Sequence, residues 1–287
     1  MKLLIIFGII TTILMGCDSA EFTAFKVYEK GGDKVNLLDL RNKLEKTDII
    51  LFGELHNNAM VHWLQLQLTK ELHKELGNKL ILGAEMFETD TQLMIDEYFE
   101  GLYPTKNFED EAKLWKNYAT DYKPILEFAR KNKLRFVATN IPRRYAALVA
   151  RQNLDKLNDL SSEAKKYIAP LPIKFDPELP AYKEMLKMGT HNKEIKYFAE
   201  AQAIKDATMA YFIVRNFQPG YKFLHFHGAY HSDNYQGIYW YLKHYQPNLN
   251  ILTITTIETP NLDSLAESDK NKADFIILIK DDFTKTY

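Results

Sequence analysis

Residues 48–56 read DIILFGELH, and this stretch decides the fold of the 287-residue chain. Ile49 to Phe52 form an apolar run without a charge, which is typical of a strand buried on both faces of a parallel sheet. Gly53 allows the backbone to turn sharply after the strand. Glu54 and His56 are two residues apart, so in an extended chain their side chains point to the same side. We therefore expect a carboxylate and an imidazole together at the carboxyl end of this strand.

Five further apolar runs predict strands at residues 79–85, 134–140, 222–228, 250–257 and 274–280. Helical patterns between them predict helices at 39–46, 60–76, 89–99, about 109–117, 122–132, from Pro142 onward, 194–215 and 235–245, with a loop at 258–273. This alternation predicts an α/β domain with a mainly parallel central sheet flanked by helices.

The predicted domain covers residues 35–287 and follows a tether and N-terminal segment at 18–34. We expect helical insertions in it at about 89–132 and 155–192. The second of these contains four prolines and is predicted to be an irregular segment or a helical cap. Open α/β sheets place their binding sites at the carboxyl ends of the strands.

Polar residues gather at the predicted carboxyl ends of four strands. Glu85 ends the second strand, Asn140 the third, and His225 to His231 the fourth. We expect one crevice lined by two carboxylates and several imidazoles. Structural alternatives stay open: Glu54 can cap the next helix, Glu85 can pair with Arg143 or Arg144, and His56, His225 or His231 can be packed core residues.

One spacing occurs twice, as Gly53-x-x-His56 and Gly228-x-x-His231. In both, a glycine lets the chain leave the strand and a histidine follows in the loop. Imidazole with carboxylate suits zinc, iron, manganese or cobalt. The same groups can instead act as a general base on water.

The N-terminus has the order of parts of a secretory signal peptide: Lys2, an apolar run to Met15, and Gly16 before Cys17. Leu14-Met15-Gly16-Cys17 resembles a bacterial lipobox, so we expect residues 1–17 to be a signal peptide and Cys17 to carry acyl chains. The apolar run is shorter than the roughly 20 residues of a membrane span. The expected location is the cell envelope, with the outer membrane or cell surface favoured.

Composition excludes some partners. The formal net charge is −1, with 37 basic and 38 acidic residues, and a nucleic-acid-binding protein needs a strongly basic face. Cys17 is the only cysteine, so after lipidation no thiolate is left for the crevice. Any metal there must be held by His, Glu, Asp or Tyr.

Five motifs in order resemble those of ChaN-like haem-binding lipoproteins. The motifs are Gly53-Glu-Leu-His56 with His62, Gly83-Ala-Glu85-Met-Phe87, Ala138-Thr-Asn140-Ile-Pro142-Arg143, Ala201-Gln202 with Asp206 to Ala210, and Gly228-Ala-Tyr-His231. The resemblance covers about residues 35–257. That family shares a superfamily with Tiki metalloproteases, TraB-type proteins and erythromycin esterases.

The resemblance implies haem or iron binding, with iron acquisition as the role. Candidate cofactor-binding residues are His62, His227, Tyr230, Asn140 and Arg143. Haem iron accepts His or Tyr as a ligand, and a haem shared in a homodimer is an open alternative.

A metal-dependent hydrolase, of protease or esterase type, is the second functional hypothesis. Tiki-like relatives imply a divalent ion at His56, Glu85 and His231, and esterase-like relatives imply Glu54 and His56 around a water. The candidate catalytic residues are thus Glu54, His56, Glu85 and His231. A partner-binding lipoprotein with a relict site is a third hypothesis, and whether the protein is an enzyme stays open.

Overall fold

The computed structural model describes residues 23–189 and 196–287. The predicted signal peptide and Cys17 lie outside these residues. The described chain forms one mixed sheet of eight strands in the order β2-β1-β8-β7-β3-β6-β4-β5. The strands are β1 Phe25–Glu29, β2 Lys34–Val35, β3 Ile49–Glu54, β4 Leu80–Glu88, β5 Arg135–Asn140, β6 Lys222–Gly228, β7 Ile251–Thr259 and β8 Phe275–Lys280.

Helices cover both faces of the sheet. Within the described residues the α-helices are α1 Arg41–Leu44, α2 Ala59–Leu76, α3 Gln92–Glu100, α4 Thr105–Glu111, α5 Lys123–Lys131, α6 Arg143–Gln152, α7 Ser162–Lys165, α8 Pro180–Gly189, α9 Phe198–Asn216 and α10 Ile238–Tyr245. None of these helices is long and apolar enough to cross a membrane.

The side chains of β3 divide between two cores because alternate residues of a strand face opposite sides. Ile50 and Phe52 pack with α2 and α5 in one core. Ile49 and Leu51 pack with α9 and α10 in the other. All six residues of β3 are buried, as the uninterrupted apolar run predicts.

The mainly parallel α/β fold is confirmed. β3 pairs in parallel with β6 and β7, and β4 pairs in parallel with β5 and β6. The strand order places β6 between β3 and β4. The carboxyl ends of these three strands therefore meet at one edge of the sheet, where Glu54, Glu85 and Gly228 lie.

Two local predictions were wrong. Part of the predicted tether and N-terminal segment is in the sheet. β1 (Phe25–Glu29) pairs antiparallel with β8, and β2 (Lys34–Val35) pairs antiparallel with β1. A helix was predicted at 109–117, but the observed helix α4 ends at Glu111, and a π-helical turn follows at Tyr118–Tyr122. In both cases partners distant in sequence decide the local structure.

Candidate functional site

Five charged groups form a continuous series at this edge of the sheet, which we call the site array: Asp206, His231, Glu85, His56 and Glu54. Carboxylates and imidazoles alternate along it. His231 contacts Asp206 through Nδ1 at 2.5 Å and approaches Glu85 Oε1 through Nε2 at 3.3 Å. His56 contacts Glu54 Oε1 through Nδ1 at 2.9 Å, and its Nε2 lies 3.9 Å from Glu85 Oε2. Glu85 is thus central, with an imidazole facing each oxygen.

Glu54 is held from the side of the sheet that α2 and α5 cover. Gln65 donates Nε2–H to Glu54 Oε2 at 2.6 Å, and the Tyr122 hydroxyl donates to Oε1 at 2.8 Å. The side chain of Glu54 is fully buried. Glu54 does not cap α2, because Asn58 does so by accepting from the backbone N–H groups of Met60 and Val61. The carboxylate is therefore fixed to face His56.

Glu85 is held by the backbone of β6. The Gly228 N–H donates to Glu85 Oε2 at 2.8 Å, and the carboxyl is buried. The alternative pairing of Glu85 with an arginine was wrong. Arg144 pairs with Asp90 instead, at 2.5 Å.

Asp206 lies in the middle of α9, and both of its carboxylate oxygens have partners. Oδ1 contacts His231, and Oδ2 accepts a hydrogen bond of 2.6 Å from the Tyr182 hydroxyl. Tyr182 is buried in α8 and is only 1% exposed. The segment before α9 is thereby tied to the site array.

The electrostatics favour a charged array. Burial alone would lower the pKa of His231, but Glu85 and Asp206 outweigh it and raise this pKa to about 10. Burial would likewise raise the pKa of Glu85, but His231, His56 and the Gly228 N–H hold it well below its usual value. His231 is thus a cation between two carboxylates at neutral pH.

His56 differs from His231 in being partly open to solvent, with 29% of its side chain exposed. Burial lowers the pKa of His56, but Glu54 and Glu85 outweigh this effect and raise the pKa above its usual value. Burial opposes ionisation of Glu54, yet the hydrogen bond from His56 and the charge of His62 lower the pKa of Glu54. Glu54 therefore stays ionised and orients His56.

Both motif glycines are required by close approach. A Cβ on Gly228 would lie 2.6 Å from His56 Nε2. A Cβ on Gly53 would lie 2.8 Å from the Ala229 Cα. Each glycine thus makes room for atoms of the opposite G-x-x-H motif, which explains why the spacing occurs twice.

A cleft of about 630 Å³ opens onto the array. Its lining includes Glu54, His56 and His231, together with Tyr230, Gln202, Lys272 and Tyr287. The Trp115 ring meets the His56 ring edge-on, with centroids 4.9 Å apart. This volume is within the usual range for small-molecule sites, roughly 300–1,000 Å³.

The predicted histidines His62 and His227 are buried and do not line the cleft. His62 lies behind the array, where its ring nitrogens meet Gln65 Oε1 and the His56 carbonyl, both at 3.1 Å. His227 Nδ1 lies 3.0 Å from His225 Nδ1, and His225 Nε2 meets Thr139 Oγ1 at 2.7 Å. Burial lowers the pKa of His227 to about 3, so this imidazole is neutral.

The other three predicted cofactor residues are separated by the structure. Tyr230 lines the cleft and is 45% exposed. Asn140 is buried and Arg143 is exposed at the start of α6, and neither lines the cleft. Of the five predicted cofactor-binding residues, only Tyr230 presents a ligand atom to the cleft.

The predicted metal triad of His56, Glu85 and His231 is not supported. The three side chains are together, but they pair with one another rather than converge on a common point. Both Nε2 atoms face Glu85, and both Nδ1 atoms are taken by Glu54 and Asp206. In the part of the chain that the structure describes, no group of three or more His, Cys, Asp or Glu is arranged to hold a metal ion.

Three contributing residues were not among the predicted site residues, although Asp206 lies in one of the five motifs: Asp206, Gln65 and Tyr122. A usable signal existed for Asp206, which is a charge within the buried segment of α9 that includes Ile204, Ala207 and Ala210. A carboxylate buried among apolar residues requires a partner. Gln65 carries a similar but weaker signal on the buried face of α2.

Comparison with solved structures gives one clear match and two weaker similarities. ChaN of Campylobacter jejuni, described with cofacial haem binding, superposes with a TM-score of 0.67 at 18% identity over 90% of this chain and 98% of its own. A Bacillus cereus protein gives 0.49 at 12% identity, covering 86% and 92%. A mutant of the erythromycin esterase EreC in its open conformation gives 0.48 at 11%, covering 90% and 83%. No curated protein matches this chain.

At 18% identity the ChaN structure establishes the fold alone. The family follows from sequence: the model for haem-binding uptake proteins of the Tiki superfamily, ChaN, matches residues 40–242. This range includes every member of the site array and four of the eight strands. The chain belongs to the ChaN family of haem-binding uptake proteins in the Tiki superfamily.

Proposed function

We propose that this protein is a haem-binding lipoprotein of the cell envelope that serves iron acquisition, and that Tyr230 supplies the ligand to the haem iron. The observation that carries the ligand assignment is the exposure of Tyr230 at the rim of the cleft, at 45%. The family supports haem as the cofactor. The Campylobacter jejuni relative, whose haem binding is cofacial, supports the same choice.

The residues around Tyr230 suit a haem. A porphyrin needs apolar contacts, an axial ligand and cations for its carboxylates. The cleft provides Leu55, Ala229 and Ile257 as apolar contacts and Lys272 as a cation. Tyr is an established axial ligand of haem iron. Bound haem would supply the iron centre, and this chain would supply its ligand, its apolar cover and its charge.

The hydroxyl of Tyr230 has a backbone partner, and its surroundings raise its pKa. Its hydroxyl donates to the Ala181 carbonyl at 3.3 Å, at the start of α8. Burial raises the pKa of Tyr230, and the nearby carboxylates of Glu184, Asp233 and Asp206 raise it further. The phenol is therefore neutral without haem, and ligation requires that its proton leaves.

Haemin titration followed by visible absorption tests this assignment. We expect a stoichiometric Soret shift in the unmodified protein. In Tyr230→Phe we expect a clear loss of haemin affinity, and the spectral signature of a phenolate ligand should be absent. Tyr287→Phe is the matched control, because Tyr287 also lines the cleft and is 60% exposed. Equal binding and identical spectra in Tyr230→Phe would show that Tyr230 is not the ligand.

Envelope anchoring rests on Cys17 and its lipobox. Acylation at this residue would hold the protein at a membrane, since each buried methylene contributes about 0.8 kcal/mol. Metabolic labelling with palmitate, with Cys17→Ser as the control, tests it. Haem capture in the envelope would then deliver iron to an uptake system. A homodimer around two haems agrees with the cofacial relative, and mass measurement of the haem-loaded protein tests it.

Hydrolysis is the second candidate function, and the orientation of His56 favours it. Its Nδ1 is hydrogen-bonded to Glu54, while its Nε2 lies 3.9 Å from Glu85 Oε2, beyond hydrogen-bond distance, and 29% of the His56 side chain is exposed beside the cleft that it lines. In the neutral ring, Nε2 would take a proton from water as the water oxygen attacks an ester or amide carbonyl, and would then return it to the leaving group. Turnover of p-nitrophenyl butyrate or a fluorogenic peptide that is lost in His56→Ala would support this role.

A further inference from the structure

A surface groove of about 680 Å³ lies between the strand pair β1–β2 and helix α2. None of its lining residues belongs to the site array or the cleft. We call it the N-terminal groove. Its apolar residues are Phe25, Val35, Leu37, Leu38 and Trp63, with Leu64 and Leu68 below. Trp63 is 50% exposed and Leu38 is 37% exposed. Exposed apolar patches of this kind mark interaction sites.

We propose that the N-terminal groove is the face that contacts the phospholipid bilayer to which Cys17 is anchored. This inference rests on the lipid anchor of the proposed function. Thr23 lines the groove and is the first described residue. Thr23 lies six positions after Cys17 in sequence, and six residue steps of at most about 3.6 Å reach no more than about 22 Å. A lipidated Cys17 therefore keeps this side of the molecule close to the membrane.

The chemistry of the groove suits the membrane–water interface. Tryptophan is enriched at that level, because one part of its ring system is apolar and the other carries an N–H. Lys34 lines the groove and is exposed, in a position to meet lipid phosphates. Phe25 and Leu38 add apolar contact beside it.

The acidic residues of the groove already have partners within the protein. Glu71 is neutralised by ion pairs with Arg41 at 2.6 Å and with Lys74 at 2.5 Å. Asp39 accepts a backbone hydrogen bond of 2.8 Å from Asn36 and keeps its charge. Glu71 therefore adds little repulsion toward anionic headgroups, whereas the exposed Lys34 is attracted to them.

This placement leaves the site array accessible. The groove lies at β1 and β2, the first two strands in the order across the sheet. The array lies at the carboxyl ends of β3, β6 and β4, which are the fifth to seventh strands in that order. No residue is shared between the lining of the groove and that of the cleft. The cleft would therefore stay open to ligand while the groove rests on lipid.

The test uses the full chain, purified from membranes and reconstituted in vesicles of phosphatidylcholine and phosphatidylglycerol brominated in their acyl chains. Bromine quenches tryptophan emission only at contact. We expect the unmodified protein to be quenched, Trp63→Phe to lose most of that quenching, and Trp240→Phe to keep it. Trp240 is the matched control, because it is half-buried on the opposite face of the sheet.

Three other outcomes would overturn the inference in distinguishable ways. If the protein does not float with the vesicles in a density gradient, both the lipid anchor and the docking face are rejected. Protein that floats but shows the same quenching in Trp63→Phe removes the docking face alone. If the emission of Trp63 changes with protein concentration in the absence of lipid, the groove would instead be assigned to contact with a second copy of this chain.

Discussion

His231 Nδ1 lies 2.5 Å from Asp206 Oδ1, which joins a loop after β6 to the middle of α9. Both side chains are buried. On the other side of its ring, His231 faces Glu85 at 3.3 Å. A buried cation between two carboxylates is stable only while both remain, because an unpaired buried charge is costly. Asp206 therefore supports the site array from outside the cleft.

Asp206→Asn is expected to destabilise the protein by about 3 kcal/mol, the lower end of what breaking a buried pair costs. The substitution keeps the shape of the side chain but removes its charge. The pKa of His231 should fall at the same time, since Asp206 is one of the two groups that raise it. Urea unfolding and an NMR titration of the His231 ring measure the two effects.

Asp110→Asn is the control for this change. It removes a charge that pairs with Lys106 on the surface, at 2.5 Å, and exposed pairs of this kind contribute little. We expect its unfolding midpoint to equal that of the unmodified protein. Equal midpoints for Asp206→Asn as well would mean that Asp206 does not hold His231.

Stability should fall as the pH rises from neutrality toward 10. The pKa of His231 is raised from 6.5 to about 10 in the folded protein, so the folded state binds this proton more tightly than the unfolded state. The stabilisation is complete below about pH 6.5 and is lost as the pH rises through about 10. Unfolding curves across this range measure it. In His231→Gln this part of the pH dependence should be absent, and its persistence there would assign it to other groups.

The sequence predicted the sheet well where strands are buried on both faces. β3 and β6 are short, largely apolar runs of strand length, and their terminal residues Glu54 and Gly228 are where the sequence placed them. β1 was missed, because this short strand, which lies between β2 and β8, gains its order from pairing with β8, about 250 residues later in the chain.

The sequence analysis expected four of the five array residues in one crevice but did not predict how they pair. Glu54, His56, Glu85 and His231 follow strands and so could be placed together at one edge of the sheet. Asp206 belongs to a helix, and only the packing of α9 against the sheet brings it to His231. The imidazoles looked like metal ligands because a sequence shows residue types without showing which atoms already have partners.

Gly228→Ala is expected to cost about 1–3 kcal/mol, the usual range for overpacking. The added methyl would lie 2.6 Å from His56 Nε2, so the ring or the backbone must move. The same substitution should cost clearly less in a His56→Ala background, where the ring is gone. Thermal unfolding of the four proteins in this double-mutant cycle measures the coupling. Identical costs in both backgrounds would show that the His56 ring is not the obstacle.

Any hydrolysis at the cleft should rise with pH through the pKa of His56. This pKa lies above its usual value, chiefly because Glu54 and Glu85 outweigh the effect of burial, and only the neutral ring can accept a proton from water. Glu54→Gln removes one of the two carboxylates, so the rising limb of kcat/KM should move to lower pH. Asp110→Asn, which removes a carboxylate from an exposed surface pair, is the charge control that should leave the limb in place. A limb that does not move in Glu54→Gln would identify another group as the base.

Haem affinity should increase with pH if Tyr230 is the ligand. The phenol binds iron as a phenolate, so each binding event releases one proton, and affinity should rise by about tenfold per pH unit while the pH is below the phenol's pKa. Burial and the carboxylates of Glu184, Asp233 and Asp206 raise that pKa, so the slope should persist across neutrality. Haemin titrations from pH 6 to pH 9 measure it, with Tyr287→Phe as the reference for changes in free haemin. A histidine ligand would give a different curve, with affinity levelling off above the pKa of an ordinary imidazole, about 6.5.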